Sequence, residues 1–244
     1  MDKILSGKIA FVTGASRGIG RAIAVRLGGQ GATVFLAARD EKMLCETADA
    51  VEMAGGKGRV VKLELTSEDS IKSAVKCLEK AAGGLDILVN NAGVTHSGSL
   101  GETATEDWDR CFAVNARGAF ILCRETLGLL KRAEKGFIIN IASVVAVKGY
   151  ANQSAYTASK HALRGMSMSL AEELRGTNVR VHVICPGAVD TEMVAQVRPD
   201  IDKNELIGAG EIAELVTYLV THKGNAVIDE LHVRRAGSGP WYVC

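Results

Sequence analysis

Ser143, Tyr156 and Lys160 stand thirteen and then four residues apart, and together they could handle a proton. A tyrosine titrates near ~10, too high for ready exchange at neutral pH. A lysine ammonium one helical turn away shares its face, favours the phenolate and lowers that pKa. A serine hydroxyl beside them could hold a carbonyl oxygen where the phenol can protonate it. By itself a Tyr-x-x-x-Lys pair usually marks only a helix face bearing an aromatic and a cation. Its meaning depends on what else the chain brings beside it.

The elements that must do so alternate. Short apolar runs at Ile9–Thr13, Thr33–Ala37, Val60–Leu63, Ile87–Asn90, Phe137–Ile141, Val179–Ile184 and Ala226–Val233 read as strands covered on both faces. Helical stretches begin near Gly18, Glu41, Ser67, Thr105, Ser154 and Gly208, with Ser67 and Thr105 as capping hydroxyls. This alternation predicts an α/β fold: a doubly wound parallel sheet of about seven strands with helices on both faces. No Pro- or Ser-rich linker or repeat divides the chain, so residues 1–244 read as a single domain. The segment Ala188–Leu206 is polar and irregular and reads as a long loop over a binding site.

Composition narrows the partners. The 244 residues carry a formal net charge of +1, 47% apolar and 23% charged residues, and no long run of one sign. Neither a nucleic-acid surface nor a polybasic membrane anchor is expected. No apolar run reaches ~18 residues, so no membrane span is expected. Met1 to Lys8 lacks the basic start and apolar stretch of a signal peptide. The six cysteines, from Cys45 to Cys244, have no metal-ligand spacing. They read as reduced thiols in a cytoplasmic protein without a bound metal.

After the first strand comes Gly14-Ala-Ser16-Arg17-Gly18-Ile19-Gly20, leading into a helix. Glycines allow a tight strand-to-helix turn and close backbone approach to a pyrophosphate. The helix start offers free N–H groups and a partial positive charge for phosphate.

With Thr13-Gly14-x-x-x-Gly18-x-Gly20, Asn90-Asn91-Ala92-Gly93, Asn115, Ser143, Tyr156/Lys160 and Pro186-Gly187 in this order, the chain resembles the short-chain dehydrogenase/reductase family from about Lys8 to Thr191. The resemblance implies a Rossmann fold and a nicotinamide cofactor. It implies that Asn91, Ala92 and Gly93 lie along the adenosine side. It gives Asn115 a kink in a long helix and a place in the proton route. Pro186, Gly187, Val189 and Thr191 would clamp the nicotinamide, and Lys160 and Tyr156 would meet its ribose. Relatives pair through the helices that begin near Thr105 and Ser154, so a homodimer or homotetramer is implied. The outer faces of these helices carry Cys111, Phe112, Phe120, Met166 and Met168, which also suit an ordinary core.

The second strand ends Ala38-Arg39, where an NAD-preferring enzyme usually has an acid. Arg39, with Arg17 from the glycine turn, suits a 2′-phosphate and points to NADP(H). Asp40 and Glu41 fit better as first-turn acids of the next helix. The family often has an Asp after the third strand to meet adenine; Glu64 stands here, followed by Leu65 as a further cofactor contact.

The implied activity is hydride transfer between NADP(H) and a small-molecule carbonyl or secondary alcohol, with Tyr156 as acid and base and Ser143 orienting the oxygen. Ser143, Val145, Gln153, Tyr156 and Met193 are the substrate-contact candidates, and His96 reads as a solvated loop residue. Many 3-oxoacyl-thioester reductases end in Val-Asp-Gly-Gly after the last strand. This chain instead reads Asp229-Glu-Leu-His-Val-Arg234-Arg235, which favours a carbonyl reductase. The alternatives are a 3-oxoacyl-(acyl-carrier-protein) reductase and a non-catalytic NADP(H)-binding regulator.

Overall fold

In the computed structural model, which describes residues 3–239, seven strands form one wholly parallel sheet in the order β3-β2-β1-β4-β5-β6-β7. They are β1 Ile9–Thr13, β2 Thr33–Ala38, β3 Lys57–Lys62, β4 Ile87–Asn90, β5 Gly136–Ile141, β6 Val179–Pro186 and β7 Glu230–Val233. The readings of Met1, Pro240 and Cys244 fall outside the described residues.

Successive side chains of a strand point to opposite faces. Val12, Leu36 and Ile139 pack on Ile23 and Leu27 of α1 (Gly18–Gly29) and Val216 of α8 (Ala209–Thr221). Phe11, Leu88 and Ile138 pack instead on Ile71 of α3 (Glu68–Ala82) and Ile121 and Leu122 of α5 (Ala119–Arg132). The sheet is thus buried on both faces, as the apolar runs require. Among the described residues no helix is long and apolar enough to cross a membrane.

Local chemistry explains several helix starts. Asp40 accepts from the Met43 N–H at 3.1 Å and caps α2 (Glu41–Met53), and Ser67 accepts from the Ser70 N–H at 3.2 Å and caps α3. Three expectations need correction. Ala104, not Thr105, precedes α4 (Thr105–Phe112), with no side-chain cap. β3 begins at Lys57, because an edge strand tolerates the exposed Lys57 and Arg59 that break the apolar pattern. The stretch after Ala188 is not one loop: Val189 bridges to Ile207, and between them lies α7 (Glu192–Val197), capped by Thr191.

The order of the sheet reverses between β1 and β4. In such folds the crevice at the carboxyl ends of these strands is where ligands bind. Both the glycine turn and Asn91-Ala92-Gly93 leave the sheet there, and their backbones are tied: Asn91 Nδ2 donates to the Thr13 carbonyl at 2.9 Å, and the Ala92 N–H to the Thr13 hydroxyl at 3.0 Å.

Candidate active site

Tyr156 is the third residue of α6 (Ser154–Glu173), and Lys160 follows one turn later on the same face. Ser143 follows β5, where its hydroxyl accepts from the Val145 N–H at 3.3 Å and starts a short 3-10 turn. That hydroxyl also stands close enough to the Tyr156 phenol to favour its charged form. The structure therefore brings together the two groups that the spacing singled out.

Lys160 behaves differently from the expectation. Its side chain is buried, with the residue only 3% exposed. Its Nζ donates to the Ile141 carbonyl at 2.9 Å and lies 6.0 Å from the centre of the Tyr156 ring. Burial pushes the ammonium down to about 8. Burial also pushes the Tyr156 phenol up, and the Ser143 hydroxyl is what works against that rise.

Asn115 sits in a π-helical turn, Ala113–Gly118, inserted between α4 and α5. Such turns hold an extra residue and recur at functional sites. Its buried amide accepts from the Val94 N–H at 2.8 Å and donates to the Val94 carbonyl and the Ser159 hydroxyl, both at 2.9 Å. Gly93 allows this crowding: a Cβ there would lie 3.2 Å from Asn115 Oδ1 and 3.4 Å from Lys160 Nζ.

At the other end, Gly14 takes φ +64, and a Cβ on it would come within 2.9 Å of Ala92 Cα. A Cβ at Gly20 would overlap the Gly14 carbonyl. The first turn of α1 has no side-chain cap, so its N–H groups remain available to an anion. Ser16 lies in this turn, and its carbonyl accepts from Thr47 at 3.5 Å. Ile19 packs against Val189, Ile207 and Ile212. A Cβ at Gly18 would meet Thr191 at 3.1 Å, so α7 begins directly over the glycine turn. Pro186 ends β6, and the Gly187 N–H donates to the Val233 carbonyl at 2.7 Å.

The two arginines part company. Arg39 is 77% exposed in its side chain, with Nη1 3.8 Å from Glu64 Oε2. Arg17 does not join it: its Nη1 pairs at 2.6 Å with Glu192 of α7. Glu64 is engaged as well, accepting from the Thr66 N–H at 3.1 Å, while Leu65 is buried. A tight glycine turn, an uncapped helix start and an exposed guanidinium at the end of β2 fit a dinucleotide with a phosphorylated ribose.

Of the substrate candidates, Val145 is buried beside Ser143, Gln153 immediately precedes α6, and Met193 lies half-buried on α7. His96 is not solvated: its side chain is 17% exposed and its Nδ1 lies 3.5 Å from Asp107. Of the outer-face residues, Cys111 is fully buried and Met166 packs into the core, whereas Phe120 and Met168 are exposed.

One group escaped the sequence reading. The Cys185 thiol donates to Glu230 Oε1 at 3.3 Å. Arg164 grips both oxygens of Glu230, at 2.7 and 2.8 Å, and His232 Nε2 lies 2.7 Å from Oε1. Burial pushes Glu230 up, but the bonds from Arg164, His232 and Cys185 prevail and hold it down to about 2. Cys185, Glu230 and His232 lie close enough to suggest a metal site. An ion there would have to displace the guanidinium and deprotonate a thiol pushed up to about 12. The signal in the sequence was Arg164, one more step of four beyond Tyr156 and Lys160.

A parallel sheet with a glycine turn at its reversal and a Ser-Tyr-Lys set at its carboxyl edge defines a class of dinucleotide-dependent oxidoreductases. Residues 8–202 match the short chain dehydrogenase family, and the chain belongs to the short-chain dehydrogenase/reductase family. It is 34% identical over 243 residues to a 3-oxoacyl-(acyl-carrier-protein) reductase of Aquifex aeolicus, covering 96% of this chain and 98% of that protein. A 3beta-hydroxysteroid dehydrogenase of Mediterraneibacter gnavus is 35% identical over 195 residues, 80% of this chain and 70% of that one. Among solved structures, a metagenomic short-chain oxidoreductase in complex with NADP aligns at a TM-score of 0.84 and 37% identity, covering 96% of this chain and 99% of that one.

Proposed function

We propose that this chain is an NADP(H)-dependent oxidoreductase that interconverts a small ketone and its secondary alcohol. The observation that carries the reading is Tyr156 one helical turn before a buried Lys160 whose Nζ lies 6.0 Å from the phenol ring, with Ser143 beside them, at the carboxyl edge where the glycine turn also opens. Gly14, Ser16, Gly18, Ile19 and Gly20 would hold the pyrophosphate end of NADP(H), and Arg39 the 2′-phosphate. Asn91, Ala92, Gly93, Glu64 and Leu65 would line the adenosine side, and Pro186, Gly187, Val189 and Thr191 the nicotinamide. Bound there, the cofactor supplies or accepts the hydride.

The chain's own residues manage the oxygen and its proton. The hydroxyls of Ser143 and Tyr156 converge on the carbonyl oxygen, which Ser143 orients. Tyr156 gives that oxygen its proton as the carbonyl carbon is reduced, and takes it back when the alcohol is oxidised. Lys160 places a positive charge beneath the phenol, and Asn115 keeps the π turn, Val94 and α6 in one arrangement.

The lack of a Val-Asp-Gly-Gly segment after β7, where the chain reads Val233-Arg234-Arg235, favours a free carbonyl substrate. Likeness to 3-oxoacyl-(acyl-carrier-protein) reductases supports a thioester as the second reading. NADPH consumption with small ketones, diketones and an acetoacetyl thioester separates the two. Tight NADPH binding without turnover of any of them would leave only a regulatory NADP(H)-binding role. The exposed Phe120 and Met168 favour a homodimer or homotetramer, which sedimentation tests.

A further inference from the structure

The two loops that wall the catalytic hydroxyls are fastened to each other. One, residues 91–99, leaves β4; the other, residues 147–153, leads into α6. The Gly98 N–H donates to the Asn152 carbonyl across the gap at 2.9 Å. Asn152 takes φ +63, alone among the described non-glycine residues in the left-handed region. Asparagine accepts that conformation, whereas a β-branched residue strongly resists it. Asn152 is exposed, so core packing does not impose the turn.

The loop after β4 is also anchored from behind. His96 Nε2 lies 3.4 Å from the Thr103 hydroxyl, and its Nδ1 faces Asp107. Thr103 in turn donates to the Ser99 carbonyl at 2.9 Å. Gly98 passes so near the imidazole that a Cβ on it would lie 3.0 Å from Nε2. With Val94 held by Asn115 at the root, this wall is pinned at three points along its length.

We propose that the Gly98–Asn152 bridge and the His96 anchor form a clasp that selects the substrate by closing the gap between the two loops. This inference rests on the carbonyl-reductase reading. A ketone whose oxygen lies between Ser143 and Tyr156 carries two substituents on its carbonyl carbon. One can run outward past Met193 and α7, but the clasp denies the other an exit between the loops. The substrate class is therefore an asymmetric ketone, or its alcohol, with one compact substituent. His96 and Asn152 position the walls and touch no reacting atom.

Two isomeric ketones test this: methyl heptyl ketone, with one small arm, and dibutyl ketone, with none. The wild-type protein should prefer the methyl ketone in kcat/KM by about tenfold or more, as expected for methylenes that a closed pocket rejects. Asn152→Val and His96→Ala should each bring that ratio within about threefold of unity, mainly by lowering KM for dibutyl ketone. Affinity for NADPH should stay unchanged in both. Asn152→Gly keeps the backbone conformation and should keep the preference. Amide exchange at Gly98 should quicken in Asn152→Val but not in Asn152→Gly. A wild-type protein indifferent to the two isomers, or a ratio unmoved in both disruptive variants, overturns the clasp while leaving the carbonyl reading intact. A wild-type protein that reduces no ketone and no thioester overturns the carbonyl reading, and the selective role of the clasp with it.

Discussion

The Tyr156 end and the Arg39 end of the crevice, the proposed catalytic and adenosine ends, are built on opposite plans. At the first, Ser143, Asn115 and Lys160 are buried, and their polar groups are bonded to backbone or, for Asn115, also to buried Ser159. At the second, Arg17, Arg39, Glu64 and Glu192 are substantially exposed and meet side chain to side chain. Stripping a buried polar group of its partner costs about 1–3 kcal/mol, whereas an exposed ion pair contributes about 0–1 kcal/mol. The catalytic end is therefore arranged before any ligand arrives. The adenosine end leaves its cations free to exchange one anion for another.

The largest test of this contrast is Tyr156→Phe, which should lower turnover by roughly 10³ or more while a fluorescence titration finds NADPH affinity nearly intact. Turnover like that of the wild type would end the assignment of the proton to this phenol.

Lys160→Met probes what the buried charge costs. In the folded chain Lys160 is pushed down from 10.5 to about 8, so between those pH values the unfolded chain binds more protons and stability rises with pH. Below pH 8 the fold bears the full cost. At pH 7 the variant should be inactive yet more stable than the wild type, by up to about 3 kcal/mol. That advantage should fade as pH climbs from about 8 to 10.5. Denaturant unfolding across this range is the check, and a variant less stable at pH 7 would break the contrast at its buried end.

At the exposed end, Arg39→Asp should weaken NADPH binding roughly tenfold to a hundredfold through the loss of charge-assisted hydrogen bonds. NADH binding should change far less, and equal losses would sink the assignment to a 2′-phosphate. The smallest effect belongs to Glu192→Gln. Removing that exposed partner should shift the melting temperature by no more than about 2 °C. By freeing Arg17 it should tighten NADPH binding up to about threefold. A large loss of stability would show that this pair acts like the buried end after all.

The same contrast explains what could be read before the structure was known. Strands covered on both faces announce themselves as apolar runs, and β1 and β4 were located to the residue. β3 was truncated because an edge strand needs no apolar start, and α7 was missed because six polar-flanked residues carry no period. Tyr156 and Lys160 were legible because one helical turn fixes their relation. The partner of Arg17 was not, because Glu192 lies 175 positions away and no local rule links them. Cys185 and Glu230 were hidden for the same reason: only the pairing of β6 with β7 brings them together. His96 was misjudged because its polarity was visible and its partners, Thr103 and, on α4, Asp107, were not.

The π turn at Asn115 carries a consequence for how this chain can change length. A turn closed by i→i+5 bonds holds one residue more than an α turn, so it can give that residue up without turning α5 away from the sheet. A one-residue deletion within Ala113–Gly118 would leave a continuous regular helix with Ile121 and Leu122 still in the core. If Asn115 is the residue lost, Val94 and Ser159 also lose the amide that joins them. Here the fold can spare a residue that the proposed chemistry needs, and a lineage could lose that reaction at this point while keeping the protein.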